Sequence, residues 1–310
     1  MTLRKPVLPT LANHAAEVAM APCLWFSAPA YAADRARLAT ADLAGLAAKL
    51  GASARLAAGS ACGGPPGSWH PLALRRLELP DSSHRAWWPL RGGYGCIHLL
   101  PELLTRDLPP VIGFSDCSIL HAAAWCRGGR PGFYAFMPLT PQGSRAHDSL
   151  RRLWQGERLT CDLHSDPTVT PLRRGSAAGP LFAACLRVLA GLVGSPAMPD
   201  LNGCLLAIED IDERPYAIDR CLEQLFHAGR LRGIGGLIGG RFPHQRPSGS
   251  AEPTVTQILQ RWADRLRVPA IVGLPFGHEA DPLSLAQARA SRLLVHPPHW
   301  CLEQLPGPSA

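Results

Sequence analysis

Lysine is nearly missing from this chain. Of 31 basic residues, only Lys5 and Lys49 are lysines and the rest are arginine. Aromatic residues are also scarce, at 6%. The formal net charge of +7 raises nucleic acid, an anionic surface or an acidic substrate as partners. The arginines are spread along the sequence, with pairs at 75–76, 151–152 and 173–174, and no basic stripe is interleaved with aromatics. That distribution speaks against nucleic-acid binding. No run of 18 apolar residues is free of charge or proline, which speaks against a membrane-spanning helix. Neither G-x-G-x-x-G nor the lysine of a phosphate-binding loop is present. The ten cysteines, at 23, 62, 96, 117, 126, 161, 185, 204, 221 and 301, form no C-x-x-C. The one close histidine pair, His296-Pro-Pro-His299, has prolines where a zinc turret needs regular spacing. Most cysteines sit in apolar runs, so they read as buried thiols in a reducing compartment.

What is present is enough apolar material for a core. Hydrophobic residues make up 46% and charged residues 18% of 310, which excludes disorder by composition and suits two cores. The 30 glycines and 31 prolines are scattered, without repeat or low-complexity tract. Near the N-terminus, Arg4, Lys5, an apolar patch at 19–30 and Ala30-Tyr31-Ala32 have the look of a signal peptide. Asn13, His14, Glu17, Pro22 and Pro29 interrupt that pattern. The segment 22–28 is therefore expected as a first strand after a ragged leader, and the protein as cytoplasmic.

Hydrophobic spacing predicts a helix from Asp34 to Gly51 and a loop over the Gly-, Pro- and Ser-rich residues 60–72. Strands are predicted at 86–90 and 110–114, and a helix at 118–126. This is the order of an open parallel α/β sheet. Residues 136–178, rich in proline and glycine with one helical piece at 147–154, read as a connection. Beyond it the pattern predicts helices at 180–193, 216–228 and 254–266, and strands at 204–208, 234–242, 268–274 and 291–295. The chain is thus expected to be α/β in two domains: 1–140, a connection 141–178, and 179–310.

Four elements carry candidate chemistry. In Gly113-Phe-Ser-Asp116 a Val/Ile-rich strand meets a helix, and a serine there is lifted out of the sheet on an elbow. The usual elbow has a glycine two places after the serine, where Cys117 stands, and simple N-capping by Ser115 or Asp116 explains the tetrapeptide alone. Arg91-Gly-Gly-Tyr-Gly95 is a phosphate cradle without the usual motif, a turn needing positive φ, or an oxyanion donor beside Ser115. The acidic run Glu209-Asp-Ile-Asp-Glu213 follows a strand, as does Pro275-Phe-Gly-His278. A solvated turn and a surface histidine explain these singly. In chain order they place a serine, an acid and a histidine, the three parts an activated nucleophile needs.

These residues resemble the serine LD-carboxypeptidases. The resemblance rests on Arg91-Gly-Gly-Tyr-Gly95, on Gly113-Phe-Ser-Asp116 with Ser118-Ile-Leu, on the run from Leu205 through Ile208-Glu209-Asp210 and Pro215-Tyr216 to Gly229, and on Pro269 to His278. It spans about residues 85–280. It implies Ser115 as nucleophile, His278 as general base and Glu209 as its orienting acid, with backbone N–H groups of Gly93 and Asp116 as the oxyanion hole. It implies a parallel N-terminal α/β domain and a partly barrel-like C-terminal one, a homodimer, no metal and no cofactor. The implied substrate is an LD amide, above all the bond to the terminal D-alanine of a murein tetrapeptide. Departures stand at Ser27-Ala28-Pro29, Phe136-Met137-Pro138 and Ala183-Ala-Cys-Leu186. They leave room for a peptidyl-nucleotide antibiotic as substrate, with Trp154 or Tyr134 stacking on a base, or for a non-catalytic binding protein. A lipase-like esterase is opposed by the missing elbow glycine.

Overall fold

The computed structural model describes residues 22–62, 77–128, 132–245, 252–296 and 298–310. The expected leader and most of the expected 60–72 loop lie outside them. The described N-terminal half begins with strand β1 (Cys23–Ser27), the two-residue β2 (Ala33–Asp34), helices α1 (Arg35–Ala39) and α2 (Leu43–Lys49), then β3 (Ser53–Leu56), β4 (Ala61–Cys62) and β5 (Ala86–Pro89). β3, β1 and β5 form a parallel sheet in that order, while β2 pairs with β4. Two parallel bridges, Trp87 to Val111 and Ile112 to Phe133, extend the β5 side toward β6 (Phe133–Tyr134). The expected strand at 110–114 is reduced to this bridging pair. A 3-10 turn at Cys96–Leu99 leads into α3 (Leu100–Leu103), and a second at Ser115–Cys117 leads into α4 (Ser118–Cys126).

The single helix expected from 34 to 51 is two. Asp34 accepts from the Arg37 N–H, and Asp42 accepts from the Gly45 N–H at 2.8 Å. A second N-cap inside an apolar pattern restarts the helix, and the hydrophobic period cannot register that break.

Residues 141–178 carry α5 (Ser144–Trp154), β7 (Leu159–Asp162) and β8 (Thr170–Arg173). The rest of the chain runs β9 (Gly175–Cys185), α6 (Leu186–Gly191), β10 (Leu205–Glu209), α7 (Pro215–His227), β11 (Gly236–Gly239), α8 (Val255–Leu266), β12 (Ala270–Val272), β13 (Leu285–Ala286), β14 (Ala290–His296) and β15 (His299–Gln304). Eight strands curl into a half-barrel in the order β7-β15-β14-β9-β10-β11-β12-β8. β9 to β12 pair in parallel and the flanking strands antiparallel. β9 serves both parts, since 175–180 pair with β14 and 181–185 with β10.

The expected helix at 180–193 is a correction. Its first half, Pro180-Leu-Phe-Ala-Ala-Cys185, is strand, and the helix starts at Leu186. A strand covered on both faces is apolar throughout, so its period does not distinguish it from a buried helix. All five residues of β10 are buried for the same reason, whereas the outer β14 alternates exposed and buried.

The two halves share one core. Trp154 donates its indole N–H to the Leu50 carbonyl at 3.0 Å and packs on Phe133. Helix α5 is capped from a distance. Gly143 has no side chain to offer, and Asp281 accepts instead from the N–H groups of Gly143, Arg145 and Ala146 at 3.1, 3.1 and 2.7 Å. Ser149 Oγ accepts from the Ser284 N–H at 3.0 Å. These contacts tie the loop after His278 to α5. Replacing Asp281 by alanine is expected to cost about 1–2 kcal/mol, as for a lost N-cap. Urea unfolding measures it, and an unchanged midpoint would mean the cap contributes nothing.

Candidate active site

The site begins with a buried carboxylate. Glu209 ends β10 with 1% of its surface exposed, in register with Cys185 of the neighbouring parallel strand. Two glycines make room for it. A Cβ on Gly240 would lie 2.7 Å from the Glu209 Cβ, and one on Gly277 would lie 2.3 Å from its carboxyl carbon. Gly277 also holds φ at 82°, a conformation other residues reach only with strain.

A buried carboxylate needs partners on both oxygens. One oxygen of Glu209 accepts from His278 Nδ1–H at 2.7 Å and from the His278 backbone N–H at 3.3 Å. The other accepts from the Tyr134 hydroxyl at 2.6 Å. Burial disfavours the His278 imidazolium, but the Glu209 charge and hydrogen bond outweigh it, and the imidazole pKa lies above the ordinary histidine value. Burial, reinforced by the same charge, holds the Tyr134 phenol well above its ordinary value, so it stays a donor. With Nδ1 committed to Glu209, Nε2 of His278 is the nitrogen left for a substrate or nucleophile.

Ser115 sits across the cavity from this pair. Its φ is 63°, in the left-handed region that a non-glycine residue occupies at a cost. Gly92 allows its approach, since a Cβ there would meet the Ser115 Cβ and Oγ at 3.0 Å. The Ser115 N–H donates to the Tyr134 hydroxyl at 3.3 Å, so one phenol links the serine backbone to the acid. The Phe114 ring stands edge-on to the His278 ring at 4.9 Å. No hydrogen bond joins Ser115 to His278. Both line a cavity of about 180 Å³ together with Arg37, Arg91, Gly93 and Met137.

The glycine loop and the start of α4 lock together. The Asp116 carboxylate accepts from the Cys96 N–H at 2.8 Å, and burial raises its pKa against the lowering effect of that bond. Its side chain is therefore structural. The backbone N–H groups of Gly93 and Asp116 have no acceptor among the described residues. Gly93 holds φ at 121°, and a Cβ there would lie 2.3 Å from the Tyr31 ring.

Of the acidic run, Glu209 alone meets the histidine. Asp210 accepts from the Arg187 and Ile211 N–H groups, and burial lifts its pKa to about 6. The three altered segments pack behind the site. Ser27 accepts from the Trp87 indole, and the Pro29 and Ala30 carbonyls lie beneath Gly95. The Phe136 carbonyl accepts from the Trp88 indole, which leaves Met137 facing the cavity. Ala183 is clamped by both ends of the Gln287 amide, and the Cys185 N–H donates to Ser118 Oγ at the first turn of α4.

Sequence reasoning missed Tyr134 as a partner of Glu209, because an aromatic in a short apolar stretch carries no signal of a polar role. It also missed His121, which is buried and bonds the Gly113 carbonyl at 2.8 Å. Burial pushes its pKa down to about 4, so the ring is neutral and fixes the turn before Ser115. Tyr134 and Trp154 are both buried, so neither offers a face for stacking on a base. Cys23, Cys96, Cys117, Cys126, Cys161, Cys185, Cys204, Cys221 and Cys301 are free thiols, and no helix among the described residues is long and apolar enough to cross a membrane.

Comparisons with known proteins agree with the pattern of elements. Family models of the LD-carboxypeptidase N-terminal and C-terminal domains match residues 75–135 and 178–293. The murein tetrapeptide carboxypeptidase of Pseudomonas aeruginosa is 31% identical over 66% of this chain and 70% of its own length. A protein of Streptomyces coelicolor named as a carboxypeptidase is 34% identical over 61% of this chain. The chain spans 62% of that relative's length and 61% of the length of one from Bacillus subtilis. Among solved structures, a muramoyltetrapeptide carboxypeptidase from Oxalobacter formigenes superposes with a TM-score of 0.75 at 21% identity, covering 92% of this chain and 99% of that one. The microcin C7 self-immunity protein does so with 0.72 at 15% identity, covering 94% and 97%, a likeness of fold. Two matched domain models in the right order, and a relative above 30% identity aligned over most of its length, establish that the chain belongs to the LD-carboxypeptidase family.

Proposed function

We propose that this protein is a serine carboxypeptidase that cleaves an LD amide bond, releasing the terminal D-alanine of murein tetrapeptides during cell-wall recycling in the cytoplasm. The observation that carries this reading is the buried Glu209–His278 pair opening onto the same cavity as a left-handed Ser115. Ser115 attacks the carbonyl, and His278 Nε2 takes its proton and returns it to the leaving amine. Water then repeats the cycle on the acyl-enzyme. Glu209 holds the imidazole in the tautomer that keeps Nε2 an acceptor and stabilises the imidazolium. The oxyanion falls to the Gly93 and Asp116 N–H groups, each worth on the order of a hundredfold to a thousandfold. The histidine and serine close to bonding distance on substrate binding, as such pairs commonly do.

Incubation with a murein tetrapeptide, read by mass spectrometry, is expected to release D-alanine. Ser115→Ala is expected to lower the rate by about ten-thousandfold or more and to abolish labelling by a fluorophosphonate. Undiminished release from the variant would remove Ser115 from the mechanism. The base must be neutral to accept a proton, so kcat/KM falls as pH drops through the raised His278 pKa. The acid limb of the profile is therefore expected above pH 6.5. Glu209→Gln removes the charge that raises it, moving the limb down and costing on the order of ten-thousandfold. A wild-type limb at or below pH 6.5 contradicts the assignment. Tyr134→Phe takes one donor from Glu209. With the phenol gone, the Glu209 hydrogen bond and charge act on His278 alone and draw the limb upward, with kcat/KM reduced about 10- to 100-fold, and identical profiles in variant and wild type would deny Tyr134 this role.

A further inference from the structure

The cavity that holds Ser115 and His278 is also lined by two guanidinium groups, Arg37 and Arg91. Neither makes an ion pair with a carboxylate among the described residues. Arg37, from α1, is held by the Leu139 carbonyl at 2.8 Å. Arg91 reaches the Gly92 carbonyl at 3.3 Å and lies over the Tyr31 ring at 5.6 Å. Burial, with the nearby Arg37 charge adding to it, lowers the Arg91 pKa, although an arginine remains charged. Two like charges thus face one small cavity without a counter-ion among the described residues. An arginine fork matches a carboxylate in geometry as well as charge.

Arg91 immediately precedes the Gly92-Gly93 turn that is placed beside Ser115. One of the two guanidinium groups therefore belongs to the same loop as the proposed oxyanion donor at Gly93, next to the proposed nucleophile.

We propose that Arg37 and Arg91 form the carboxylate subsite that holds the free C-terminal carboxylate of the residue being released. This rests on the hydrolase reading above. The subsite selects peptides that end one residue past the cut bond. A blocked or extended terminus leaves both guanidinium groups without their anion.

The test compares a tetrapeptide ending in free D-alanine with the same peptide ending in D-alaninamide. The wild type is expected to prefer the free acid by about 100-fold or more in kcat/KM. Arg91→Gln and Arg37→Gln are each expected to lose about 10- to 100-fold on the acid, chiefly in KM, with the amide little changed. Arg91→Lys should recover part of the preference. Fluorophosphonate labelling of Ser115 and the thermal midpoint should stay as in the wild type. An acid-to-amide ratio that survives in the Arg37→Gln/Arg91→Gln double variant, with labelling intact, overturns the subsite and leaves the hydrolase standing. If the wild type neither labels nor hydrolyses either peptide, the hydrolase reading fails. Calorimetric titration of both peptides into Ser115→Ala then decides the subsite alone. Acid-selective binding that the double variant loses supports it, and equal or absent binding overturns it.

Discussion

The centre of this molecule is a negative charge in a place with almost no water. Glu209 sits at the end of a central parallel strand and is stable there only while His278 and Tyr134 satisfy both of its oxygens. Removing one partner from a buried ion leaves an uncompensated charge, a far larger penalty than losing a surface pair. That requirement reaches outward. It explains the glycines at 240 and 277, whose missing side chains leave space for the carboxyl group. It places Tyr134, and through the Tyr134 hydroxyl it reaches the backbone of Ser115. The proposed acid, base and nucleophile are thus joined by bonds that also hold the fold.

The elements most legible in the sequence are those with local punctuation. Helix α8 is announced by Thr254 and Gln257, which form a reciprocal capping box. Helix α7 starts with Pro215 at its first turn and stops before Gly229. Strand β10 and the helix at 118–126 stand where hydrophobic runs and glycines place them. The failures share a cause. At 34–51 a cap residue lies inside an apolar period, and at 180–185 a doubly buried strand has the composition of a buried helix. At 136–178 proline and glycine conceal strands whose partners lie far along the chain, so pairing decides them rather than local preference.

For the site, residue types and order were readable, and proximity was not. Glu209 and His278 each have an ordinary local explanation, and their hydrogen bond depends on how β10 and the loop after β12 stack. The resemblance to the LD-carboxypeptidases singled out Ser115, Glu209 and His278 together. Tyr134 and Asp281 stayed hidden because each acts on a group distant in sequence, and His121 because a ring bonding a carbonyl eight residues back leaves no pattern in the sequence. Asp281 caps a helix that begins at Ser144, and no capping pattern read along the chain reveals a carboxylate supplied from so far downstream.

The division of the site between two parts of the chain has a consequence for synthesis. The proposed nucleophile lies at 115 and its base at 278. A ribosome adds about 5–20 residues per second, so His278 follows Ser115 by roughly ten to thirty seconds. During that interval the nascent chain carries the proposed nucleophile without its proposed base. On the proposed mechanism, hydrolysis therefore waits until residue 278 has been made, and products of translation interrupted between the two residues carry the serine without its base.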